Sequence, residues 1–151
     1  MMIETLKKMF GGTAAAASGV LEQREPLELA TAALLLELSR ADFSESVAEK
    51  EAISHLLQKR FNTSVEATDK LMADAARRAD RAVSLHEFTH RLNTELPEAD
   101  KLAIVEMLWH VSNADGRIDK HEEQLVQRIA GLLHISDRDR MRLKLKTVVS
   151  G

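Results

Sequence analysis

The densest run of potential ligands is Asn113-Ala-Asp-Gly-Arg-Ile-Asp-Lys-His-Glu122, which sets Asn113, Asp115, Asp119 and Glu122 around a single glycine, Gly116. Oxygen donors at this spacing suit a hard divalent cation such as calcium, magnesium or manganese, because a loop folding back over the glycine can aim several of them inward. The spacing copies an EF-hand loop from its third ligand position to its twelfth. Val111, however, stands where that loop needs its first carboxylate, so the segment is not an EF-hand. The same residues also have a metal-free reading: Asp119 and Glu122 form a capping box, Gly116 supplies a left-handed turn, and Ile118 staples the corner.

A second constellation is His86-Glu-Phe-Thr-His90. Two histidines one helical turn apart can hold zinc while the intervening glutamate activates water, and Glu106 is the conceivable third protein ligand. The setting opposes it. Ser84 and Glu87 make a capping box that puts His86 in the first turn of its helix, and nothing in the chain resembles the strand that lines a peptidase cleft. His55, His110, His121 and His134 read as surface or helix-end residues. The chain has no cysteine, which removes disulfides, thiol catalysis and thiolate metal sites and leaves oxygen or imidazole as the available ligands.

These residues must be positioned by helices. The apolar residues, 44% of the chain, are mostly Leu, Ala, Ile, Val and Met, and the β-branched and aromatic bias of strands is missing. Helices are expected over Pro26–Ala41, Val47–Asn62, Val65–Arg81 behind Ser64, from Ser84 to Leu92, over Pro97–Asn113, over Lys120–His134, and after Ser136. The first and fifth are apolar nearly all round, so Leu34, Leu35, Leu36, Ile104, Leu108 and Trp109 are expected at the centre. Residues 1–21 read as a short amphipathic helix, carrying Met2, Ile3, Leu6, Met9 and Phe10, followed by the linker GGTAAAASG; the folded domain is expected over residues 22–151. Docking of that helix on the body of the protein is preferred over a weak peripheral membrane contact through residues 2–10, since so short a piece anchors poorly alone.

A net charge of −3 with few aromatics lacks the basic footprint and stacking platforms of a nucleic-acid binder. No apolar run is long enough to span a bilayer, and a cytoplasmic location is expected.

The two halves repeat. Glu37-Leu-Ser-Arg-Ala-Asp42 matches His110-Val-Ser-Asn-Ala-Asp115 at an offset of 73, and Phe61 and Ser64 match Leu133 and Ser136 at 72. The phrase Ala114-Asp-Gly-Arg-Ile-Asp-Lys-His-Glu122, following a buried helix and repeated in weaker form from Ala41-Asp42 to Glu51, resembles the TerB tellurite-resistance family, whose domain also precedes some J-domain co-chaperones. The resemblance covers about Pro26 to Val148. It implies an all-α fold, a duplicated unit closing into a compact bundle of six to seven helices, a bacterial stress-response association and a metal-binding acidic surface. Carried over are Asp115 and Glu122 in the second copy, and Asp42 and Glu51 in the first. The first copy departs from the pattern, with Phe43 in place of the glycine and two extra residues read into its turn.

Three functions follow as expectations. The first is a non-enzymatic module that binds a divalent cation through its acidic turns and acts on an unknown protein partner. The second is an interaction domain without metal. The third, remote, is a zinc-dependent hydrolase working through His86 and His90.

Overall fold

The two segments that are apolar nearly all round become the innermost helices. A computed structural model describes residues 27–40, 47–80, 85–114 and 116–150. Among these residues there are seven helices, α1 (Leu27–Ser39), α2 (Val47–Phe61), α3 (Val65–Asp80), α4 (Leu85–Glu95), α5 (Glu98–Ser112), α6 (Lys120–Leu132) and α7 (Asp137–Ser150). Among the described residues there is no strand, so the fold is all-α. In α1 and α5 the close succession of Leu, Ala, Ile, Val and Trp leaves no wide polar face, and each is therefore surrounded by other helices. All six expected central residues are buried, Leu34, Leu35, Leu108 and Trp109 fully so. The Trp109 indole N–H, which would be costly to bury unbonded, donates to the Arg140 carbonyl at 3.1 Å and so ties α5 to α7.

The duplication is structural. Helices α1, α2 and α3 correspond to α5, α6 and α7. Asn62 and His134, 72 residues apart, both adopt left-handed backbone (φ 53° and 63°) just past the ends of α2 and α6. Two residues on, Ser64 Oγ accepts from Ala67 N and Ser136 Oγ accepts from Asp139 N, each at 3.1 Å, as N-terminal caps of α3 and α7. The turn after Ser39 and the turn after Ser112 have equal length, since α2 starts at Val47 and α6 at Lys120, 73 residues later. The two extra residues read into the first turn are therefore not there. The one-residue change in offset is taken up within α2, the longer of the two second helices.

Helix α4 lies between the repeats in the chain and packs against α1 and α6. Asn93 Nδ2 fastens it by donating to the Leu132 carbonyl at 2.7 Å. The segment before Leu27, including the expected amphipathic helix, and the Ser84 cap lie outside the described residues.

Candidate functional site

The acidic turn grows out of the end of α5. Asn113 N–H still closes the helix by donating to the Trp109 carbonyl at 3.0 Å, and the Asn113 carbonyl accepts from Gly116 N at 3.0 Å, which reverses the chain. Gly116 takes φ +88°, a conformation side-chain-bearing residues rarely adopt, which explains a glycine here. Asp119 then opens α6. Its Oδ2 accepts from His121 N at 3.0 Å, and its own N–H donates to Glu122 Oε1 at 3.4 Å, completing the capping box. Ile118 packs partly buried against the core, as a staple would. Asn113 and Asp119 are partly exposed, whereas Glu122 is buried.

Asp115 and Asp42 lie outside the described residues. Glu51 is exposed on α2. The carboxylate of α2 that the core takes in is that of Glu49, fully buried and accepting from Ser39 Oγ at 3.2 Å. Glu49 stands 73 positions before Glu122, just as Ser39 stands 73 before the buried Ser112. Because the turns have equal length, the counterpart of Glu122 is Glu49 and not Glu51. In sequence Glu49 and Glu51 flank Lys50 and look much alike, and the direction in which α2 faces α1 separates them. A signal was present in the letters: Ser46-Val-Ala-Glu49 has the capping-box spacing of Asp119-Lys-His-Glu122.

The donors of the second turn are all oxygens, as a hard divalent cation requires. Among the described residues no three Asp, Glu or His side chains come together as a metal-holding group. The zinc motif fares similarly. His86 and His90 stack on the exposed side of α4 with ring centroids 6.0 Å apart, while Phe88 and Thr89 between them face inward. Glu87 lies 4.0 Å from Arg78. Glu106 is engaged by Lys146 at 3.3 Å and His110 at 3.8 Å.

A duplicated all-α unit with a buried carboxylate at the start of each second helix defines a paired helical module. The family model described as Tellurite resistance protein TerB matches residues 28–145, both repeats and α4 included, and the chain belongs to the TerB family. No curated protein and no solved structure matches it. No described helix is long and apolar enough to cross a membrane.

Proposed function

We propose that the protein is a non-enzymatic TerB module of the stress response, which binds a divalent cation at its acidic turns and thereby alters the surface offered to a protein partner. The observation that carries this reading is the pair of carboxylates, Glu49 and Glu122, buried at equivalent places in the two repeats. Carboxylate oxygens that the fold holds in fixed places beside an acidic turn are the hard donors a calcium, magnesium or manganese ion prefers. In the second repeat Asn113, Asp115, Asp119 and Glu122 would hold it; in the first, Asp42 and Glu49, with Glu51 at the edge. Phe43 in the place of Gly116 makes the first site the weaker one. The ion would act by ordering the turn between α5 and α6.

Each candidate cation should raise the melting temperature of the wild type by mass action, and Asp115→Asn should abolish that rise without unfolding the cation-free protein. Superimposable melting curves for both proteins, with no heat of binding at millimolar metal, would reject the metal. The capping box favours the second reading, an interaction domain without metal, because it already accounts for Asp119 and Glu122.

A further inference from the structure

The near-symmetry of the two repeats breaks at one place. Helix α1 packs against α2, α3, α4, α5 and α6, and its counterpart α5 packs against α6, α7, α1 and α2. Exchange of the repeats maps these neighbours onto one another with a single remainder: among the described helices, α5 has no counterpart of α4. The same helix is missing from α2, whose counterpart α6 touches α4.

At that position there is a groove. One portion, about 880 Å³, is lined by Ala52, His55 and Leu56 of α2 and by His110 of α5. A second portion of about 280 Å³ shares Leu56 and His110 and extends along Ala103, Glu106 and Met107. The α1 counterparts of Ala103, Glu106 and Met107 are Ala30, Ala33 and Leu34, all fully buried. Ala103 and Glu106 are instead partly open, and so is Leu56 beside them in the groove.

We infer that this groove is the docking site of the chain's own N-terminal segment, residues 2–10, seated as the missing counterpart of α4. Helix α4 presents Leu85, Phe88 and Leu92 to the core, with Phe88 and Leu92 fully buried. The segment carries Ile3, Leu6 and Phe10 at the same spacings of three and four, which place them on one helical face. Residues 11–26 span up to about 50 Å when extended, more than the roughly 35 Å breadth of a compact domain of this size. The rim bears Glu51 and Lys59, and the segment bears Lys7, Lys8 and Glu4, so both signs of charge find complements. The tether makes this segment the favoured occupant, because docking is intramolecular and proceeds at high effective concentration.

The absence of cysteine makes the test direct, since one introduced thiol carries a unique label. A nitroxide on Lys59→Cys in the full ¹⁵N-labelled chain should erase most amide intensity over residues 3–10. No such loss should occur when the nitroxide chain lacks ¹⁵N and is mixed with an unlabelled-thiol ¹⁵N chain. Leu6→Asp with Phe10→Asp should restore the intensity and shift the amides of Ala52, Leu56, Ala103 and Met107, while those of Leu34 and Trp109 stay in place as the folding control. The same experiment from Glu51→Cys guards against a local effect of the first label. Undiminished intensity from both labels overturns the inference. So does loss that persists in the mixed sample, which would assign the groove to a second copy.

Discussion

Glu122 and Glu49 hold equivalent positions; Glu122 accepts from the Asp119 backbone N–H and Glu49 from the Ser39 hydroxyl. The Asp119 bond allows capping and charge to be separated. Glu122→Gln keeps an oxygen for the Asp119 N–H but removes the charge. Its cation-free stability should therefore lie within about 1 kcal/mol of wild type, while any metal-induced rise in melting temperature disappears. Asp119→Ala should cost about 1 kcal/mol in urea unfolding with chelator present, because an N-terminal cap is lost. A Glu122→Gln protein that melts as wild type and still responds fully to metal would remove Glu122 from the site. The acidic turn around Gly116 was legible at this scale from spacing alone. The choice between Glu49 and Glu51 was marked there only by the capping-box spacing of Ser46 and Glu49, and burial decides it through the side of α2 that meets α1.

At the scale of elements, two glycines with opposite backbone roles make opposite predictions. Gly116 has φ +88° and open space where a Cβ would stand. Gly116→Ala should therefore destabilise by about 1–2 kcal/mol through backbone conformation alone, with no steric contribution. Gly131 sits within α6, also with nothing near an added Cβ. Gly131→Ala should stabilise by about 0.5–1 kcal/mol, since alanine loses less freedom on entering a helix. Thermal or urea melts read both, and a Gly116→Ala protein as stable as wild type would show that the turn does not need its left-handed residue. The helices themselves lie within a few residues of their expected ends. Proline, serine caps and glycine act locally, and their chemistry reads directly from the chain.

For the whole molecule, contact between the innermost helices predicts that the repeats do not unfold separately. Helices α1 and α5 pack on each other, and α4 bridges α1 of the first repeat to α6 of the second. Leu34→Ala, at a fully buried position of α1, should cost about 2–5 kcal/mol. Trp109 fluorescence, which reports the second repeat, should shift together with helical circular dichroism in one transition. Two resolved transitions would show that the repeats are independent units.

Composition, helical periodicity and local capping were enough to establish the all-α class, the seven helices of the described residues, the six central residues and the internal repeat, because each of these follows from side-chain type and near-neighbour spacing. Tertiary structure decided the rest. It buried Glu49, left Glu51 at the surface, and opened along α2 and α5 the face that α4 covers on α1 and α6. Burial belongs to what packs against a residue, and the two repeats, alike in their letters, differ in the helix laid across them.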